Sequence, residues 1–193
     1  MSTAGGRTPL IGVLALQGGF AAHGRALERC GARVREVRVP TDLDGLDGLV
    51  LPGGESTTLM LGFAREGLGE PLVEFVRSGR PVLATCAGMI VLDRERLGAL
   101  DLRCERNAFG RQVHSFEDEL DLDGLDGPPM RAVFIRAPWV AEHGPGITVL
   151  AAVDGHPVAV RQGAVTAVSF HPELTGDDRL HAALVTAAGT QAD

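Results

Sequence analysis

A cysteine, a histidine and a glutamate draw attention because of where they fall in the 193-residue chain. Cys86 lies in 83-LATCAGMIVL-92, which reads as an apolar strand, a turn of small residues and the start of a helix. A thiol at a helix N-terminus meets the dipole and unpaired backbone N–H groups, both of which favour a thiolate. A sharp strand-to-helix turn demands small neighbours, and Thr85, Ala87 and Gly88 supply them. The amide of Ala87 is then placed to donate to an oxyanion. Cysteine is also among the most buried residue types, so inert packing is the competing reading of this segment.

A cysteine nucleophile needs a base, and the base needs a group to orient it. Of the six histidines, His171 in 167-AVSFHPEL-174 lies just beyond another apolar strand, with Glu173 two residues on. In an extended segment such residues share a side, so Glu173 is expected to hold one ring nitrogen and leave the other for the thiol. Pro172 stiffens the pair. A third stretch, 52-PGGES-56, also follows an apolar run. Consecutive glycines let backbone amides turn towards a bound group, as an oxyanion donor must. The plain alternative is a turn into a helix capped by Ser56 or Thr57. Cys30, on the apolar face of an expected helix, and Cys104, in an expected strand, read as packing.

Such residues must be carried by elements that end together. Residues 10–16, 48–54 and 81–85 are apolar runs of the kind buried on both faces of a parallel sheet, and 33–39 alternates. Helical spacing over 20–32 and 68–79, each closed by glycine, alternates with these strands. The order argues an α/β fold with an open, mostly parallel sheet flanked by helices, whose sites form beyond the carboxyl ends of the strands. The second half adds expected strands at 99–105, 132–137, 147–153, 156–162 and 164–170, with hairpin signals at 154-DG-155 and Gly163. An antiparallel portion is therefore expected beside the parallel core. A last helix over 176–188 is expected to carry Asp177 and Asp178 in its first turn. Residues 10–188 form one expected domain, between a leader at 1–9 and a tail at 189–193.

Composition narrows the chemistry. A net charge of −7 argues against an extended nucleic-acid footprint. No apolar run approaches the roughly 20 residues of a membrane span, and the start lacks a signal-peptide core, so a cytoplasmic location is expected. Three scattered cysteines argue against a disulfide framework, and neither CxxC nor HExxH is present to suggest zinc. The sequence has no lysine: all 18 basic residues other than histidine are arginine. A Walker A loop and a side-chain Schiff base are both excluded by the usual route.

Taken together, PGGES, TCAG and FHPE resemble the class I (triad) glutamine amidotransferase domain, whose fold is flavodoxin-like. Further phrases narrow the resemblance: 14-LALQGGFAAH-23, 51-LPGGESTT-58, 106-RNAFGRQVHSFE-117, 133-VFIRAP-138, 159-AVRQG-163 and 169-SFHPELT-175. They are similar to the family of glutaminase subunits of pyridoxal 5'-phosphate synthases, over roughly residues 10 to 185. The resemblance implies that Cys86 attacks the side-chain amide of glutamine, with His171 as base and then acid and Glu173 orienting it. It implies backbone oxyanion donors at Gly54 and Ala87, and glutamine contacts at Gly54, Glu55, Ser56, Arg106, Ile135 and Arg136. No cofactor or metal is implied. The implied partner is a lysine-bearing (β/α)8 synthase subunit, in a large hetero-oligomer, which receives the ammonia and makes the cofactor by lysine imine chemistry. The segment 89–107 is shorter than is usual for the family, and Gly19 stands where alanine is common. The rival readings are another amidotransferase subunit, such as the imidazole glycerol phosphate synthase glutaminase, and a non-catalytic binding module that retains the fold.

Overall fold

The computed structural model describes residues 7–106, 108–109 and 115–191. Most of the leader at 1–9, the centre of the RNAFGRQVHSFE phrase and the last two residues of the expected tail lie outside them.

The first half builds the parallel core: β1 (Leu10–Leu14), α1 (Phe20–Arg29), β2 (Arg33–Val37), β3 (Gly48–Leu51), α2 (Ser56–Glu66), α3 (Gly69–Arg77), β4 (Val82–Thr85) and α4 (Ala87–Leu92). The second half supplies β5 (Leu102–Glu105), β6 (Ser115–Leu120), β7 (Met130–Ile135), β8 (Trp139–His143), β9 (Thr148–Val153), β10 (His156–Gln162), β11 (Val165–Val168) and α5 (Arg179–Gln191). One seven-stranded sheet has the order β2-β1-β3-β4-β11-β10-β9. Its pairs are parallel from β2 to β11, and β11-β10-β9 are antiparallel. Two short antiparallel pairs, β5-β8 and β6-β7, stand apart from it. Of these four strands, β6 and β8 were not legible as strands; their mixed polar residues, such as SFEDEL, hide the period.

Side chains of α2, α3 and α4 pack on one face of the sheet through Leu59, Phe63, Leu72, Phe75 and Met89. On the other face, α1 and α5 pack with the β6-β7 pair through Leu27, Leu184, Met130 and Phe134. Covering both faces is what makes β1, β3 and β4 continuous apolar runs rather than alternating ones. All six residues of α4 are buried, so its lack of a polar face follows from its position. A Cβ at Gly88 would run into the carbonyl oxygen of Leu51, so this glycine lets α4 lie directly on β3.

Several local expectations need correction. The stretch after PGGES is a separate helix, α2, and its cap is Glu55, whose carboxylate accepts from the amides of Thr57 and Thr58 at 3.1 and 2.8 Å. The longer Glu55 side chain reaches back as Ser56 and Thr57, already inside the helix, do not. Helix α5 starts at Arg179, so Asp177 and Asp178 precede it and are engaged by Arg179 and Arg29. It also continues through 189–191, part of the expected tail. Cys30 follows the last turn of α1 and is only partly buried; its amide closes on Ala26.

The short connection after α4 is closely held. The buried Asp93 carboxylate accepts from the amides of Glu95 and Cys104 at 2.9 and 3.1 Å. Backbone bonds from Leu97 to Val91 and from Ala99 and Leu100 to Leu92 fold the segment back along the helix end. Leu97 packs against the core. Few residues suffice because one carboxylate serves as the turn's acceptor and fastens β5 as well.

Candidate active site

Strand β1 enters the sheet beside β2, and β3 then lies on its other side, so the order reverses about β1. A crevice opens beyond the carboxyl ends of strands at such a switch point. Gln17 follows β1, the PGGES turn follows β3, Cys86 follows β4 and His171 follows β11. Together with Gly54, Glu55, Ser56, Ile90, Arg106, Ile135 and Arg136, they line one cleft of about 350 Å³. The structure therefore brings Cys86, His171 and every expected substrate contact to one place.

Cys86 has φ 48° and ψ −106°. A positive φ in a residue with a Cβ costs of order 1–3 kcal/mol and persists only where its surroundings enforce it. Here the amide of Cys86 donates to Val168 O at 2.7 Å, while its carbonyl accepts from Met89 and Ile90 in α4. The sheet and helix thus hold the corner from both sides. Arg136, at φ 45°, is a second strained residue on the cleft wall.

His171 Nδ1 lies 2.8 Å from Glu173 Oε1. The contact was expected, but its geometric reason was not the right one. Residues 172–174 form a 3-10 turn rather than an extended strand, and the turn swings Glu173 back under the ring. The amide of His171 is held by Val133 O of β7. Burial would lower the His171 pKa; hydrogen bonds to Cys86 and Glu173, and their charges, override this and push it up to about 10. Burial would likewise raise the pKa of Glu173, yet the bond from His171 holds it below the usual carboxylate value. The site favours an imidazolium between a sulfur and a carboxylate.

The glycines of the PGGES turn have distinct tasks. A Cβ on Gly53 would strike His171 Cε1 and stand 3.2 Å from Cys86 Cβ, so the absent side chain is where the imidazole sits. On Gly54 it would stand 2.6 Å from Gln17 Nε2, which donates to Glu55 O at 2.9 Å. Gln17 and Ile90 were not anticipated as cleft residues, although Gln17 stands directly after an expected strand. Arg106 meets Glu55 at 3.2 Å across the cleft. The Ser56 hydroxyl has no hydrogen-bond partner among the described residues.

Behind the triad lies a polar cluster that spacing did not reveal. His23 of α1 is fully buried, with Nε2 at 3.2 Å from both Glu173 Oε2 and Thr85 Oγ1, and Nδ1 at 2.8 Å from His181 Nε2 of α5. Burial holds His23 down to about 4, against the pull of Glu173, and burial also lowers His181. Both read as ordinary residues on helix faces; only the packing of α1 against α5 shows that they meet. Cys30 and Cys104 lie away from the cleft, and burial raises the pKa of each thiol.

A thiol at a strained elbow, an imidazole tied to a carboxylate and a glycine turn meet at one edge of a doubly wound sheet, the arrangement that thiol acyl transfer requires. The SNO glutamine amidotransferase family matches residues 13–188, and the chain belongs to that family. It is 53% identical to pyridoxal 5'-phosphate synthase subunit PdxT of Mycobacteroides abscessus, over 90% of this chain and 94% of that protein. It is 52% identical to the same subunit of Streptomyces coelicolor, over 90% and 91%. A solved glutamine amidotransferase structure superposes with a TM-score of 0.86 at 46% identity, covering 93% of this chain and 98% of that one. The structure of PurLQS from Thermotoga maritima shares the fold, with a TM-score of 0.68 at 18% identity, covering 93% of this chain and 97% of that one.

Proposed function

We propose that this chain hydrolyses L-glutamine to L-glutamate and ammonia, and passes the ammonia to a synthase subunit that makes pyridoxal 5'-phosphate. The observation that carries this reading is the cleft shared by strained Cys86 and by His171, itself bound to Glu173. Family membership and PdxT relatives matched along most of their length support the substrate and the pathway.

The steps follow from the geometry. His171 takes the proton of the Cys86 thiol as base, the sulfur attacks the side-chain carbonyl carbon of glutamine, and the oxygen becomes an anion that backbone amides at Gly54 and Ala87 receive. The imidazolium of His171 gives its proton to the amide nitrogen, the C–N bond breaks, and ammonia leaves a γ-glutamyl thioester. His171, now neutral, takes a proton from water. The hydroxide adds to the thioester, the sulfur departs as thiolate, and glutamate is released. Glu173 fixes the ring and its tautomer throughout. Arg106 and Arg136 suit the substrate's α-carboxylate and Glu55 its ammonium, while Gly54, Ser56 and Ile135 shape the cleft around its chain.

The partner is a separate lysine-bearing (β/α)8 synthase in a hetero-oligomer, since this chain lacks the lysine that imine chemistry needs. Ile135 and Leu174, both exposed and both next to the site, offer it apolar contacts. The test is glutamate release by the purified chain with and without the synthase. Activity is expected to rise on addition of the synthase and to vanish in Cys86→Ala. No glutamate from the wild-type pair would overturn the reading in favour of a binding module. Equal ammonia transfer to an unrelated synthase would overturn the pathway.

A further inference from the structure

We infer that His23, backed by His181, is a positioning residue of the reaction, facing the far oxygen of Glu173 and, through Thr85, joining the triad to the glycine turn. This rests on the glutaminase reading and adds a member to its machinery.

Donors and acceptors around His23 match in one consistent arrangement. Glu173, ionised, can only accept. Its Oε1 receives the proton on His171 Nδ1, whereas Oε2 has no aligned hydrogen bond among the described residues and faces His23 Nε2 at 3.2 Å. The Nε2–Oε2 approach of 3.2 Å is longer than the 2.8 Å bond on the other side, because Nε2 also faces Thr85 Oγ1. With its single proton on Nε2, His23 donates to Thr85 Oγ1 and presents the positive end of the same N–H to Glu173 Oε2 3.2 Å away, and its bare Nδ1 accepts from His181 Nε2–H. The nitrogen left over, His181 Nδ1, is then an acceptor without a partner, in agreement with its isolation among the described residues. The opposite assignment would point the His23 lone pair at a carboxylate and bury an unmatched N–H on His181, costing more at both ends.

Thr85 Oγ1 accepts from the amide of Gly53 at 3.0 Å, so the same hydroxyl that His23 touches also holds the turn expected to bear the oxyanion donor. His23 thus stands where α1, β4, α5 and the turn at 172–174 converge. Its charged and titratable neighbours are Glu173, His181 and His171; Asp178 and Arg29 lie beyond His181. Its protonation is disfavoured by burial, so at neutral pH it acts as an oriented dipole. The His181-to-His23 bond fixes the ring, whose Nε2–H dipole faces the far oxygen of Glu173 opposite the bond from His171 and favours the ionised carboxylate.

The test compares His23→Leu, His23→Gln and His181→Leu in the complete complex with the synthase. Gln can place an N–H near the position of Nε2, and Leu cannot. His23→Leu is expected to lower kcat roughly 10–100-fold, the range for stripping a buried charged group of its polar neighbour, with KM little changed. It should also bring the alkaline limb of kcat to lower pH, because His171 loses a well-held anion. His23→Gln should recover most of both, and His181→Leu should show a smaller loss in the same direction. A His23→Leu protein with reduced thermal stability but wild-type kcat and pH limb overturns the inference. If His23→Leu does not fold, His181→Leu and His23→Gln decide: wild-type kcat and pH limb in the first, or full loss in a folded second, overturns it. Wild-type complex without glutaminase activity would sink the underlying reading instead, so the two failures are distinguishable.

Discussion

At the residue scale, the chemistry depends on what stands beside each group rather than on the group alone. Three cysteines share one side-chain chemistry. Cys86 shares a cleft with an imidazole, whereas the pKa of Cys104 is pushed well above the ordinary thiol value by burial and by Asp93. Substoichiometric iodoacetamide should therefore label Cys86 first, as peptide mass spectrometry would show; preferential labelling of Cys104 would contradict the assignment. The imidazole offers a second reading. Its 15N shifts should remain those of imidazolium through neutral pH and change with a midpoint near 10. Glu173→Gln removes the anion, so the midpoint should fall and kcat should drop roughly 100-fold or more. Gly53→Ala puts a methyl where the His171 ring lies. A misplacement of about 1 Å can cost about 100-fold in rate, so a loss of that order is expected in a protein that still folds.

At the element scale, each functional group sits at a terminus whose local structure is over-determined. The corner of Cys86 is held by Val168 from the sheet and by the first turn of α4, and α4 is held against β3 by the absence of a Cβ at Gly88. Gly88→Ala forces the helix off the strand. A urea titration should show a loss of about 1–3 kcal/mol, with activity falling as the elbow moves. The short connection after α4 hangs on Asp93. Removing that carboxylate leaves two amides without their acceptor, but the segment is otherwise fastened by its own backbone bonds. The connection therefore holds the end of α4 as built. The expectation for Glu173 illustrates the hazard at this scale: an extended strand and a 3-10 turn both bring residues 171 and 173 together, and only the ψ of 84° at His171 and the following turn decide which.

At the scale of the whole molecule, buried His23 and partly buried His171 pull stability in opposite directions with pH. His23 has a folded pKa of about 4 against an unfolded 6.5, so the unfolded chain binds more protons between those values. Stability should fall as pH drops from about 6.5 through about 4, by on the order of 3 kcal/mol when complete. His171, raised to about 10, does the reverse: its contribution is whole below about 6.5 and is lost as pH rises through about 10. Glu173, held below its ordinary value, adds to the loss in acid. Urea unfolding across this range should show a maximum near pH 6.5, flattened on the acid side by His23→Leu. A curve rising steadily to pH 9 would contradict these assignments. Among the described residues no helix is long and apolar enough to cross a membrane.

Local signals were enough for much of this protein: apolar runs for strands buried on both faces, glycines where helices stop, small residues around Cys86, and motif phrases spread along the chain. Each of these is short-range, set by periodicity or by φ and ψ at one corner, and so can be read without knowing what packs where. The α/β order, the elbow and the glycine turn were legible for that reason, whereas Arg106, Ile135 and Arg136 were expected only through the family resemblance. Only packing could settle what depends on distance through space. The ring of His171 fills the space above Gly53, Glu55 rather than Ser56 caps α2, and His23 meets His181 across 158 positions of sequence. No spacing rule reports such a meeting, because it arises where α1 and α5 pack on one face of the sheet, behind the carboxylate that the triad needs.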